Sequence, residues 1–203
     1  MGGRIILYKK GRIILFQFLN GFNEMLPKNI MDYSKLRTTL TRILNRPTEE
    51  KMTYDMLDTP TSLQHKLLVL KEKQRQMKVG EMWQEALGSI PGFMNLKQGH
   101  VTGLDILSHE RKIAIELKNR TNTDNASSKK TNFDKLAAFK KSHPEYTCIY
   151  ANINASTQEK TMHTLPKILI HQDVEIEHHI GYEFIKLMCG NETDTLIEFM
   201  RNI

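Results

Sequence analysis

Apolar residues recur every three or four positions in several stretches of the chain and bunch into short runs in others. In "DYSKLRTTLTRILNR", Leu36, Leu40, Ile43 and Leu44 share one face of a helix whose outer face is basic. A second helix is expected from about Pro60 to Gln76. A third lies in "KVGEMWQEALGSIPGF", where Val79, Met82, Trp83, Ala86, Leu87 and Ile90 form one stripe and Gly88 and Pro91–Gly92 end it. "TNFDKLAAFKKSH" predicts another helix, buried along Phe133, Leu136, Ala137 and Phe139, and "GYEFIKLMCGNETDTLIEFMRNI" closes the chain as two short helices broken at Gly190–Asn191. Strand-like runs are "TGLDIL", "KIAIELK", "YTCIYANI" and "PKILIH". Only the polar "SHER" separates the first two, so they read as a hairpin. "NRTNTDNASSKK" is a polar loop leading to a helix cap near Thr131. Near the start, "GRIILYKK" is followed by "GRIILFQF", a near-repeat that suggests a short hairpin or a peripheral segment.

The order helix, hairpin, helix, strand, strand, helix predicts an α/β chain, a mixed sheet with helices on its faces. With 203 residues the chain is expected to form one domain with a loosely attached N-terminal part. The boundary is placed so that residues 1–76 are a mainly helical segment, peripheral or used in dimerisation, and residues 77–203 are the core.

Charge adds a direction to this picture. The formal net charge is +6 and the pI about 9.2, which favours an anionic partner, most commonly nucleic acid. The two cysteines, Cys148 and Cys189, form no CxxC pair and no zinc spacing, so a reduced, intracellular and cytoplasmic protein is expected. His178–His179 lacks the spacing of a metal site and reads as structural. No stretch reaches the ~20 apolar residues of a membrane span. The basic and apolar N-terminus lacks the small-residue cleavage site of a signal peptide.

The candidate chemistry lies in the hairpin. Side chains alternate along a strand, so in "KIAIELK" Ile113, Ile115 and Leu117 point to a core face, and Ala114, Glu116 and Lys118 to the other. If "SHER" is the turn, Leu107 pairs with Lys112, and Asp105 sits opposite Ala114 with Glu116 as its diagonal neighbour, about 7–8 Å away. Two carboxylates and an amine then converge. A divalent cation relieves the repulsion of the carboxylates, and their hard oxygens suit Mg²⁺. Metal and amine together suit hydrolysis of a phosphodiester, with Asp105, Glu116 and Lys118 as catalytic residues. The competing reading is an exposed Glu116–Lys118 pair worth about 0–1 kcal/mol, and spacing alone does not choose between the two.

"GLDI", nine residues and then "ELK", after a helix bearing Glu81, resembles the PD-(D/E)xK nuclease superfamily. Asp105, Glu116 and Lys118 fill its named positions, "GLD" replaces the usual Pro-Asp, and Glu81 matches the helix position as a third metal ligand, with Glu85 as its competitor. The run "ELKNRTNTDNASSKKTNF" and the closing "HIGYEFIKLMCGNETDTLIEFM" are similar to type II restriction endonucleases of the group that cleaves GGNCC-type sites, from about Val79 to the C-terminus. The resemblance implies a restriction-endonuclease-like core, Mg²⁺, double-stranded DNA as substrate, a homodimer acting on a two-fold site, and a partner DNA methyltransferase. Contact with DNA is expected from Asn119, Arg120, Asn122, Asn125, Ser127, Ser128, Lys129 and Lys130. The alternatives are a structure-directed nuclease such as a junction resolvase, or a DNA-binding module that keeps the fold without the chemistry.

Overall fold

A computed structural model describes residues 6–9, 12–15, 31–48, 52–97, 99–120, 126–154 and 166–203. The chain divides into two compact units, Met1–Ile30 and Met31–Ile203. In the first, β1 (Ile6–Lys9) and β2 (Arg12–Leu15) form an antiparallel hairpin with Ile6 opposite Leu15, as the near-repeat suggests.

The second unit starts with two helices. In α1 (Tyr33–Asn45), the Asp32 carboxylate caps the first turn by accepting the Ser34 and Lys35 N–H groups at 3.1 and 3.0 Å. Leu36, Leu40 and Ile43 form its buried stripe. α2 (Pro60–Gly88) opens with a reciprocal cap between Thr59 and Ser62 and with Pro60 at its first position. It is one continuous helix where two were expected, and position 76 falls inside it. Nothing between Gln76 and Val79 removes a backbone donor, and Gly80 costs only about 1 kcal/mol relative to alanine. Gly80 also faces Asn119, 3.8 Å from where a Cβ would lie.

The sheet has six strands in the order β3 (Met94–Asn95), β4 (Ile106–Ser108), β5 (Ile113–Arg120), β6 (Thr147–Asn154), β8 (Val174–Ile180) and β7 (Lys167–His171). β5, β6 and β8 run parallel, and the outer pairings are antiparallel. The hydrophobic pattern does not predict β8. Its hairpin with β7 turns on Gln172 and Asp173, both at positive φ (49° and 65°), with no glycine to signal it.

The parallel crossover from β5 to β6 runs through α3 (Ala126–Ser142), which lays Phe133, Leu136 and Ala137 on Leu107, Ala114, Cys148, Tyr150 and Ile176. Phe133 stacks on Tyr150 at 4.8 Å. On the opposite face, Phe184 of α4 (Gly181–Cys189) lies 6.2 Å from His179. A 3₁₀ turn then leads to α5 (Thr193–Arg201), and α2 packs along β3, β4 and β5. Both sheet faces are therefore covered, and the face of β5 that carries Ala114 is not wet, although the competing reading requires it to be: Ala114 is 0% exposed.

α3 starts five residues before the expected cap at Thr131. Ala126, Lys129 and Lys130 are good helix formers, and Lys130 pairs with Asp134 one turn on at 2.8 Å. No helix among the described residues is long and apolar enough to cross a membrane.

Candidate active site

The β4–β5 turn is His109–Lys112, one residue later than "SHER", with Lys112 at φ 52°. Ser108 pairs with Ile113 and Ile106 with Ile115, and Asp105, the residue before β4, lies beside Ile115 and Leu117 of β5 instead of in the ladder opposite Ala114. The register differs from the expected one by two residues, so the face on which these side chains lie is unchanged. Asp105 stands where β4 leaves the ladder. Its N–H still donates to the Ile115 carbonyl at 3.0 Å, while its own carbonyl accepts from Leu96 N–H at 2.9 Å. The Asp105 carboxylate accepts the Leu117 N–H, with Oδ2 at 2.7 Å, and Gln84 Nε2 of α2 donates to Oδ1 at 2.9 Å. The carboxylate is thus held from the sheet and from the helix.

Glu116 is 2% exposed, which excludes a solvated surface pair. Its Oε1 accepts from Lys118 Nζ at 2.7 Å, and its Oε2 is buried with no hydrogen-bond partner among the described residues. Burial raises the pKa of Asp105 against the opposing pull of the Leu117 N–H and the Lys118 and Lys135 charges. Burial first, and then the charge of Asp105, raise that of Glu116. The Asp105 and Glu116 carboxylates, one with an orphaned oxygen, are hard-oxygen groups of the kind that could hold a divalent cation.

A model of the Eco47II restriction endonuclease family matches residues 24–203. The chain belongs to that family. It is also similar to the type II restriction enzyme Sau96I of Staphylococcus aureus, 26% identical over 171 residues, covering 73% of this chain and 61% of that enzyme. The chain therefore spans about three-fifths of that relative's length. The match to the Eco47II family takes in α1 and the first half of α2, well before the Val79 at which the sequence resemblance begins.

In this Eco47II-family chain the fold brings together Asp105, Glu116 and Lys118, but not Glu81. Arg46 holds the Glu81 carboxylate at 3.1 and 2.5 Å, and Glu85 is paired with Lys97. Among the described residues no three His, Cys, Asp or Glu side chains converge as a metal site. The α2 side chain that reaches Asp105 is Gln84, the residue immediately before Glu85. As a neutral amide it carries no sequence signal of a metal or acid–base role. Replacing Gln84 with alanine should slow cleavage about 10–100-fold by freeing Asp105 to turn. Glu81→Ala should stay close to wild type, and single-turnover rates of the two variants decide between them.

The expected DNA contacts are dispersed. Asn119 donates to the Gln76 carbonyl at 3.2 Å and accepts from Asn154 at 2.8 Å, and Arg120 lies 3.5 Å from Glu72. Ser127, Ser128, Lys129 and Lys130 are exposed on the first turns of α3, not in a loop. Asn122 and Asn125 lie outside the described residues. One row of polar groups has no counterpart among the residues expected from the sequence. Asn152 is paired in register with Lys118, and its Oδ1 lies 2.7 Å from His178 Nε2, so the row continues from β5 into β6 and β8. His179 in turn lies 2.7 Å from Glu177.

Proposed function

We propose that this chain is a Mg²⁺-dependent endonuclease that hydrolyses phosphodiester bonds of double-stranded DNA at a short specific site, in the manner of a type II restriction enzyme. The observation that carries this reading is the half-buried Asp105, held by the Leu117 N–H of β5, beside the buried Glu116 with Lys118 bonded to it. The Eco47II family match and the likeness to the restriction enzyme Sau96I support it. The positive net charge suits a polyanion.

Asp105 and Glu116 would hold the divalent ion, which would supply charge neutralisation at the phosphoryl oxygen and order a water for attack. Gln84 and the Leu117 N–H keep Asp105 from rotating away as substrate enters. Glu116 anchors the Lys118 ammonium beside the reacting phosphate, where its charge stabilises the negative charge that develops as one P–O bond forms and the other breaks. A two-fold recognition site calls for two such sites, hence a homodimer in this reading, and for a methyltransferase of the same specificity as a partner.

The decisive test is incubation of the protein with plasmid in Mg²⁺ and in EDTA, with GGNCC-type sites as the first substrate. Discrete fragments support the reading. A smear in Mg²⁺ sinks site specificity, and binding without cutting sinks the enzyme.

If Lys129 and Lys130 on α3 and Arg120 on β5 neutralise phosphates, each charge removed should lower the log–log salt slope of binding by about 0.9. Asn122→Ala or Asn125→Ala should relax the choice of site by about 1–3 kcal/mol with little effect on random duplex. Equal weakening on cognate and random DNA would show that these amides position the duplex and do not read it.

A further inference from the structure

We propose that Lys135 of α3 is a second cation of this active site and binds a phosphate oxygen of the strand held over Asp105 and Glu116. The proposal rests on reading Asp105, Glu116 and Lys118 as a phosphodiester-cleaving site. No motif marks Lys135, which stands between buried residues in "FDKLAAF".

Three observations place it. First, the roll of α3 about its axis is fixed. Phe133, Leu136 and Ala137 are buried on the sheet. The Asp134 carboxylate lies 2.7 Å from both His171 Nε2 and Gln172 Nε2, and Lys141 donates to Gln172 at 3.2 Å, which pins one flank of the helix over the β7–β8 turn. Lys135 therefore leaves from the other flank, the one toward β4 and β5.

Second, the Lys135 stem lies against the backbone that delivers Asp105. A Cβ built on Gly103 would meet Lys135 Cδ and Cε at 3.3 Å and Nζ at 3.7 Å. Gly103 has φ +64°, a conformation that favours glycine, so the residue two places before Asp105 both turns the chain and leaves room for the lysine. The ammonium ends beside the loop that enters the site.

Third, its positive charge acts on both carboxylates from that side. Lys118 approaches the pair along β5 and is already bonded to Glu116. Lys135 arrives from the helix layer. Once the carboxylates are neutralised by a divalent ion, the Lys135 ammonium faces the phosphate and no longer the acids. A flexible point charge on a four-carbon stem suits that change of partner.

The test uses the full chain with Lys135→Gln and Lys135→Arg, at a half-buried helix position where both replacements are good helix formers. Duplex affinity is measured against salt in Ca²⁺, and single-turnover cleavage in Mg²⁺. Lys135→Gln is expected to lower the salt slope by about 0.9 and to slow cleavage by about 10–100-fold, while Lys135→Arg keeps the wild-type slope. An unchanged slope for Lys135→Gln overturns the proposal, even if the rate falls, because the lysine would then act only as a counter-charge to the acids. Glu116→Gln is run beside them. If it still cuts at the wild-type rate, the reading of the site itself fails, whereas the Lys135 slope is judged from binding alone.

Discussion

If Asp105, Glu116 and Lys118 form the cleavage site, Asp105→Asn, Glu116→Gln and Lys118→Ala should each reduce cleavage in Mg²⁺ by about 10²–10³-fold or more, the scale of removing one charge-stabilising group at a reacting centre. Among the described residues no other acid stands in for Asp105 or Glu116. Glu81 and Glu85 are the other acids of the neighbouring helix segment, and Arg46 and Lys97 hold them. Lys118→Ala takes the ammonium away from Oε1 of Glu116, a side chain already 2% exposed and with Oε2 orphaned, so the variant is also expected to be less stable. Duplex binding in Ca²⁺ should survive this change, because the Lys118 charge acts mainly on the negative charge that develops as the phosphorus is attacked. Single-turnover assays at saturating protein separate the two effects. Wild-type cleavage by any one of the three variants would mean that the reacting phosphate lies elsewhere.

The site is legible in the sequence to the extent that it depends on strand period. Asp105, Glu116 and Lys118 share a face under any register displaced by two, so a turn placed one residue too early does not scatter them. The two-residue shift of the β4–β5 register is not legible, because it depends on Lys112 taking a positive φ that nothing local announces. Gln84 and Lys135 are hidden for a related reason: each acquires its place from the packing of a helix on the sheet, and neither residue type signals that contact. β8 is concealed by its charges. Glu177 and His179 satisfy each other, and His178 meets Asn152, so a strand rich in polar groups lies inside the sheet, and hydrophobic periodicity carries no trace of the partners that make this tolerable. α2 reads as two helices because the polar run around Gln76 looks like a break, and only its continuation into the stripe at Met82 and Leu87 decides otherwise.

In EDTA the wild-type protein should be less stable at pH 7 than the variant Asp105→Asn. Both Asp105 and Glu116 have folded pKa values raised above their ordinary ones, chiefly by burial. For such a group the stabilising contribution is present below the unfolded pKa and is lost as pH rises through the folded one. In EDTA, the charged form of each carboxylate in the folded state is therefore disfavoured by burial and, for Glu116, also by the charge of Asp105. Asn at position 105 removes one charge while its side-chain oxygen can still accept the Leu117 N–H. The variant should melt higher, with each kcal/mol appearing as about 2–4 °C in a chain of this size, and the gap should close as pH falls into the carboxylate range. The exposed pairs run the other way. Asp134 and Glu72, held at about 2 by their cationic partners, lose their contribution on acidification in both proteins, and so cancel in the comparison. If Asp105 and Glu116 hold the cation, added Mg²⁺ should raise the melting temperature of wild type much more than that of Asp105→Asn. Thermal melts of the two proteins in EDTA and in Mg²⁺, at pH 7 and at acid pH, test the sign directly. A variant that melts below wild type in EDTA at pH 7, with an equal Mg²⁺ shift in both, would place the cation somewhere other than between these two acids.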